Sequence, residues 1–583
     1  MTRRIVCSIV APTWTTFTDR RKVRTITQGA AFISAVCLVV FLLDTRYRLL
    51  PNSVHSALPL HHDVSVITDI TVTTCSSTNP FSKCRLDPDL WHRVEKDLYL
   101  NSGWFKSAFV HIKRKHEEEL GSGDKVVVGV RVGRLDPGLG ENGQQGEKWE
   151  ARPGGIWLLR SSKRHDSDSH KAVTAVDIIF GADAAEPRPG WTLTQTPLLL
   201  DASEKNQVPR LTVRHGVPKG THKEALPPRV GKDGKFKILQ VSDLHLSTGT
   251  GACRDALNAH GEVKGQCEAD PRTLDFVELI LDDEKPDMVV LSGDQTNGDT
   301  APDVQTAIFK IVDLLVKRSL PYASIFGNHD DEGPKATHLS RKDQMSLLST
   351  LPYSLAQAGP EDVAGVGNYA VEVLAPSPST HSALTLYFLD THSYSPDEHK
   401  YHGYDWVKDS QITWFKETAE AHKKEHRKYT HIHMDMAFIH IPLPEYALPE
   451  NTIAGGEWRE PSTAPKFNSG FYSALKEQSV LAVGCGHDHV NDYCALKPES
   501  EKDKGMGPWM CYAGGSGFGG YAGYGGFHRR VRVWEIDANN GRIVTWTRLE
   551  CCGAGTTKKH NELLIVDGGK VVAPSQHDAG TRS

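Results

Sequence analysis

No basic stripe runs through this 583-residue sequence: its formal charge of −5 is small for the length, and Lys and Arg are interspersed with Asp and Glu. No bulk field therefore draws the chain to DNA or RNA, and no nucleic-acid partner is expected. Cysteines in metal-grid spacing are also missing. The 11 cysteines include no Cys-x-x-Cys pair, which argues against a structural zinc grid. Cys253 with Cys267, and Cys494 with Cys511, are spaced as possible disulfides, whereas adjacent Cys551 and Cys552 cannot easily bond to each other. Connectivity is not readable from spacing. The sequence has no Asn-x-Ser/Thr acceptor either, which is unexpected for a large lumenal domain. The rest of the composition is globular, and the length implies two or three domains with appendages.

One segment departs from globular behaviour. "ITQGAAFISAVCLVVFLL", Ile26 to Leu43, carries no charge and is just long enough to cross a bilayer, for which about 20 residues are usual. Arg3, Arg4, Arg20, Arg21, Lys22 and Arg24 precede it, and only Arg46 and Arg48 follow closely. That bias places the N-terminus in the cytosol and the bulk of the chain across an endomembrane or in the secretory pathway. The alternatives are a cleaved signal peptide, although the run starts late and no small-x-small site follows it, and a misassigned start, which would leave a cytoplasmic protein. The chain then divides into a basic tail (1–25), a transmembrane anchor (26–43), a polar stalk (44–75), a β-rich accessory domain (76–225), a larger domain (236–555) and a disordered tail (556–583).

From Phe236 onward, apolar strands alternate with helical stretches. "FKILQVSDLHL", "PDMVVLSGDQTNGD" and "YASIFGNHDDEG" are separated by "PRTLDFVELILDDE" and "DVQTAIFKIVDLLVKR". Near-continuous apolar strands between helices indicate a mainly parallel sheet covered on both faces. Functional groups of such sheets gather outside the strands' carboxyl ends, and the polar clusters fall there. Five ends supply candidates: Asp243 and His245, Asp294, Asn328 and His329, His440, and His487 and His489. Carboxylate, imidazole and amide oxygen suit hard or borderline ions such as Mn, Fe, Zn or Mg. The set suffices for two ions, which together would bind phosphate oxygens, lower the pKa of a bridging water and stabilise in-line displacement. His431 and His433 compete with His440 but precede the apolar "MAFI" rather than end it. Asp390 and His392 end another strand and are read as supporting or capping groups; Trp406, Trp414 and Phe415 are read as core.

"DLH", "GDQTNGD", "GNHD", the isolated His440 and "GHDH" together resemble the signature of the calcineurin-like metallophosphoesterases, over roughly Phe236 to Cys552. "CRD", "PRTLDF", "SQITWF" and the glycine-rich run before Arg529 resemble a narrower group, the fungal dosage-dependent cell cycle regulator-type phosphatases and the short plant purple-acid-phosphatase-like proteins. This resemblance implies a four-layer α/β/β/α sandwich beside the smaller β-rich domain. It also implies the ligand sets: Asp294 bridging two divalent or mixed-valence ions, Asp243, His245 and His489 completing one site, and Asn328, His440 and His487 the other. His329 resembles the family's general acid, with Asp330 or Asp331 expected to orient it. Arg529 and Arg530 are candidates to neutralise substrate oxygens. True purple acid phosphatases carry a Tyr three residues after the bridging Asp; Asn297 stands there, so no purple charge-transfer band is expected. The implied activity is hydrolysis of phosphomonoesters, with phosphoserine or phosphothreonine in proteins as substrate. A phosphodiesterase or nucleotidase on the same site, and an inactive regulatory or binding protein on the same fold, are the alternatives.

Overall fold

The structure, a computed structural model, describes residues 20–47, 50, 64–76, 84–100, 105–121, 123–138, 148–163, 166, 170–201, 207–217, 226–258, 260–263, 266–333, 339–426, 428, 432–499, 505–523, 526–550 and 558–574. Helix α1 (Arg20–Tyr47) contains the apolar segment, Arg24–Asp44, which is long and apolar enough to cross a membrane and whose apolar window is not buried against the protein. A signal sequence satisfies the same length and composition.

Nine strands follow: β1 (Ser65–Ser76), β2 (His92–Arg93), β3 (Lys106–His116), β4 (Val126–Val132), β5 (Trp149–Arg152), β6 (Ile156–Ser161), β7 (Val173–Phe180), β8 (Trp191–Leu193) and β9 (Pro209–His215). They form three antiparallel sheets, ordered β1-β3-β2, β4-β6-β5 and β7-β9-β8. Ile70, Val110, Val127, Leu158, Ile178 and Leu211 share one core between them. The expected stalk is corrected in part here. Ser65–Ser76 pairs along its length with β3, because Ile67, Ile70 and Val72 present an apolar face to the shared core.

The remaining strands are β10 (Lys235–Val241), β11 (Met288–Ser292), β12 (Tyr322–Ile325), β13 (Tyr369–Leu374), β14 (Ser382–Phe388), β15 (Met434–Phe438), β16 (Thr452–Ala454), β17 (Ala482–Cys485), β18 (Cys494–Leu496), β19 (Trp509–Tyr512), β20 (Arg530–Asp537), β21 (Arg542–Leu549), β22 (His560–Asp567) and β23 (Lys570–Val571). Between them lie α2 (Ala269–Glu284), α3 (Val304–Lys317), α4 (Arg341–Thr350), α5 (Asp409–His426) and α6 (Phe471–Glu477). Among the described residues they build two seven-stranded sheets, β12-β11-β10-β20-β21-β22-β23 and β13-β14-β15-β17-β19-β18-β16. Both are mixed rather than mainly parallel. The parallel runs are β10-β11-β12 and β14-β15-β17-β19.

Alternation along β15 reveals the layering of this α/β fold. Met434, Met436 and Phe438 join a core with Val241, Leu291 and Trp534 of the first sheet, whereas Ala437 and Ile439 join Phe415 and Ala419 of α5 and Leu475 of α6. A strand buried on both faces has no solvated side, which is why it reads as a continuous apolar run. The expected disordered tail is also corrected. Its residues 560–571 form β22 and β23, with Leu563, Ile565 and Val566 buried; "ELLIVDGGKVV" carries an Asp-Gly-Gly hairpin signal between apolar stretches. Disulfides join Cys253 to Cys267, Cys494 to Cys511, and Cys75 to Cys84; Cys551 and Cys552 lie outside the described residues.

Charge ties the N-terminal sheets to the larger sandwich. Lys96 reaches Asp303, the capping residue of α3, at 2.8 Å and lies 3.7 Å from Asp177 on β7. Asp177 also accepts from Arg188 (2.9 Å) and from Gln305 of α3 (2.7 Å). Burial alone would raise the Asp177 carboxyl, but Lys96 and Arg188 hold it at about 2. Its stabilisation is therefore present above the unfolded value near 3.8 and is lost as pH falls through about 2. Asp177→Asn is expected to cost about 2 kcal/mol at pH 7, and its deficit against the wild type should shrink as pH falls from 4 to 2, both read from urea denaturation midpoints.

Candidate dinuclear metal centre

The parallel runs of the two sheets end in turns that converge on one site. Asp243 and His245 follow β10, Asp294 follows β11, Asn328 and His329 follow β12, His440 follows β15, and His487 and His489 follow β17. Asp243, His245, Asp294 and His487 have φ of 55°, 47°, 52° and 76°. Asp and His adopt this left-handed region more readily than most residues. Main-chain bonds hold them in it: the Asp243 amide donates to Gly293 (3.0 Å) and the His245 amide to Asp294 (2.9 Å). Glycine is required where neighbouring turns touch. A Cβ at Gly327 would lie 2.1 Å from Asp294 Oδ1, and one at Gly486 would lie 1.8 Å from Ser242 Oγ and 2.8 Å from Asp243 Oδ2.

Two groups of potential ligands result, Asp243 with His245 and His489, and Asp294 with His440 and His487, all buried, with the donor atoms of each group within 4.8 Å of one another. Asp294 Oδ2 lies 3.3 Å from His440 Nε2 and 3.7 Å from His245 Nε2, so it adjoins both groups. His489 Nε2 lies 3.3 Å from Asp243 Oδ1 and 3.1 Å from His245 Nε2. Burial disfavours both carboxylate charges, yet His489 and His440 hold Asp243 at about 2, and His440 and His245 hold Asp294 well below the usual range. Burial likewise opposes a charge on His440, but Asp294 raises it to about 9. The field here is that of two buried anions seeking cations.

The chemistry of the donors fits metal ions. His440 Nδ1 is 3.0 Å from the Ser292 carbonyl and His489 Nδ1 is 2.8 Å from that of Tyr521. A carbonyl only accepts, so each Nδ1 donates and each Nε2 faces the carboxylates. His440 Nε2 faces Asp294 Oδ2 at 3.3 Å, and the buried atoms His487 Nε2 and Asn328 Oδ1 have no hydrogen-bond partner. Buried polar atoms are rarely left so, and all three are competent donors to a borderline divalent ion.

The sequence profile of the family described as calcineurin-like phosphoesterase matches residues 236–491. The chain is 30% identical over 528 residues to protein C1020.05 of Schizosaccharomyces pombe, covering 89% of this chain and 94% of that one. This chain belongs to the calcineurin-like phosphoesterase family. It is also 40% identical over 389 residues to the Saccharomyces cerevisiae protein named phosphatase DCR2, covering 65% of this chain and 64% of that protein's length. An Arabidopsis thaliana protein named probable inactive purple acid phosphatase 14 is 36% identical over 348 residues, covering 55% of this chain and 82% of that one.

Beside the two donor groups stands His329, its side chain 35% exposed. Its Nδ1 is 2.5 Å from Glu332 Oε2, and Glu332 Oε1 accepts from the Tyr394 hydroxyl at 2.9 Å. Burial would lower this imidazole, but the bond to Glu332 and the charge of Asp294 raise it to about 9. Tyr394 stacks on Tyr404, whose ring meets His487 edge-on at 4.3 Å. Sequence reasoning missed Glu332, Tyr394 and Tyr404.

Two expectations are corrected. Asp330 does not orient His329: its carboxylate accepts the amides of Asp294 (2.9 Å), Thr296 (3.0 Å) and Gly327 (2.8 Å), bracing the turns after β11 and β12. Asp331 instead pairs with Arg341 at 3.0 Å. Arg529 and Arg530 do not face the site. Arg529 donates to the carbonyls of Gly517 (2.6 Å), Gly520 (2.9 Å) and Arg254 (2.7 Å), and Arg530 pairs with Asp492 beneath the ring of Phe527. The glycine-rich run packs behind the ligands, where a Cβ at Gly517 would lie 1.8 Å from the Leu244 carbonyl. His431 lies outside the described residues; His433 bonds Thr385 at 2.9 Å, and His392 bonds Gln411 at 2.8 Å.

Because Glu332 keeps His329 protonated up to about pH 9, the acid form is present at neutral pH and lost as pH rises through that value. Glu332→Gln is expected to move the alkaline limb of the pH–rate profile for phosphoester turnover to lower pH. Gly327→Ala should reduce metal content per chain, measured by mass spectrometry, by displacing Asp294.

Proposed function

We propose that this chain is a metal-dependent phosphomonoesterase acting on phosphoserine or phosphothreonine in proteins, anchored to a membrane by α1 with its N-terminus in the cytosol. The observation that carries the reading is the combination of two complete His/carboxylate groups with a partly exposed imidazole oriented by Glu332. Asp243, His245 and His489 would hold one ion and Asn328, His440 and His487 the other, with Asp294 between them. Mn, Fe, Zn and Mg all accept such nitrogen and oxygen donors. Bound there, two divalent ions supply Lewis acidity toward the phosphate oxygens and toward a nucleophilic water.

The protein's own residues do the rest. His329, with Nδ1 engaged by Glu332, gives the proton on Nε2 to the leaving-group oxygen. Glu332 then stabilises the ring until it is reprotonated. Asp330, through the three amides it accepts, keeps the turns bearing Asp294 and Asn328 in register. Tyr394, 49% exposed, donates to the Glu332 carboxylate that holds His329. The yeast relative's name, phosphatase, supports the monoester class. The word inactive in the Arabidopsis relative's name favours a second reading, a regulatory protein on the same fold, against which the full donor set weighs.

Initial rates on aryl phosphomonoester and phosphodiester, after chelation and refilling with Mn or Fe, separate these readings. Metal-dependent monoester turnover that falls by at least about 100-fold in His329→Ala and is lost in Asp294→Asn is expected. Preference for the diester would move the reading to a phosphodiesterase, and two bound ions without turnover would favour the regulatory one.

A further inference from the structure

A second cluster of imidazoles and carboxylates lies away from the site just described, where α5 crosses the edge of the second sheet. Register places Glu372 on β13 opposite Thr385 on β14, and Thr385 opposite Asp435 on β15. This is a polar row on strands that otherwise turn Tyr387, Leu389, Ala437 and Ile439 toward α5 and α6. His422 and His426, one helical turn apart, come down from α5 onto the row. His426 Nε2 is 3.3 Å and His422 Nδ1 3.5 Å from the same oxygen, Glu372 Oε1. The three donor atoms all lie within 4.8 Å of one another.

Those separations are informative. Ligands about 2.0–2.1 Å from a tetrahedral ion stand roughly 3.3–3.4 Å apart, close to the two distances observed. A histidine pair at i, i+4 on one helix face with a carboxylate from a neighbouring element forms a three-ligand set with a fourth position left open. The surroundings point the same way. His433 stacks on His426 with ring centroids 3.5 Å apart and, with its Nε2 3.3 Å from Asp435 Oδ1, fixes the ring's plane, while the buried Tyr387 hydroxyl lacks a hydrogen-bond partner. Both histidines stand at the carboxyl end of α5, where the helix dipole favours a cation, and neighbouring Lys423 is turned away to Gln478. A surface depression lined by Pro227, Pro228, Leu355 and Gln357 opens onto Glu372 and His422, giving an ion a path in.

We propose that Glu372, His422 and His426 form a third, mononuclear site for a borderline divalent transition ion of the zinc type, clamping the end of α5 to the edge strand β13. Imidazole with a single carboxylate suits such an ion better than Ca or Mg, which take mainly oxygen. The proposal does not rest on the phosphatase reading.

The test counts zinc per chain by mass spectrometry after dialysis of the full-length, detergent-solubilised protein against buffered micromolar zinc. The double variant His422→Ala/His426→Ala is expected to bind one zinc fewer than wild type, whatever the wild-type total. Glu372→Gln, which preserves side-chain volume, should keep the fold by circular dichroism and weaken that one zinc at least tenfold. Zinc should also raise the melting temperature of an Asp294→Asn protein by more than it does once His422 and His426 are replaced as well. Equal zinc content in wild type and in a folded Glu372→Gln protein, with the same zinc-dependent shift in melting whether or not His422 and His426 are present, would overturn the proposal and leave the cluster a histidine–glutamate ion pair.

Discussion

Two carboxylates, Asp243 and Asp294, are withdrawn from solvent at the junction of two sheets, and among the described residues only histidines approach them as ion-pair partners. Burying an anion without a cation costs several kcal/mol, so this arrangement constrains everything around it. The imidazoles must present nitrogen toward the carboxylates, which the carbonyls of Ser292 and Tyr521 ensure by engaging the opposite ring atoms. The turns must hold left-handed backbone, which Asp330 ensures by collecting amides from two of them. Glycine must stand wherever one turn passes under another.

Much of this was legible in the sequence because a buried strand is written as an apolar run and its functional end as an abrupt change to Asp, His and Asn. "MVVLSGD" and "YASIFGNHD" each fit an ordinary turn when taken singly, and five such ends in one domain point to a site. Glu332 was not legible. Asp330 and Asp331 stand nearer to His329 in the chain, but the turn in which the Glu332 amide bonds back to the His329 carbonyl brings the third residue on, and not the first, beneath the ring. Arg529 and Arg530 misled for a related reason. Placed after a glycine-rich run, they read as cations free for substrate oxygens, whereas both guanidinium groups are buried here and consumed by backbone carbonyls and Asp492. The tail strands were hidden by a charged, glycine-rich composition whose "LLIV" stretch is too short to stand out.

The N-terminal sheets are not a loosely hung appendage. Lys96, Asp177, Arg188 and Gln305 link them to the start of α3, and the Phe180 amide donates to Thr306 in the same turn. α3 in turn follows the loop that carries Asp294. The β-rich part therefore bears on an element that borders the candidate centre, and any motion between the two parts must break partly buried charge pairs.

The strand order of the first sheet carries a consequence for how the chain is assembled. Its strands β10, β11 and β12 are made early, but β20 to β23, which complete it on the other side of β10, are made only after the entire second sheet. The early strands hold Asp243, His245, Asp294 and Asn328, and the second sheet holds His440, His487 and His489. Neither half owns a complete ligand set. A nascent chain thus leaves one edge of β10 without its partner β20 for some 290 residues of synthesis, a distant pairing of the kind that slows folding, and the centre needs both sheets in place.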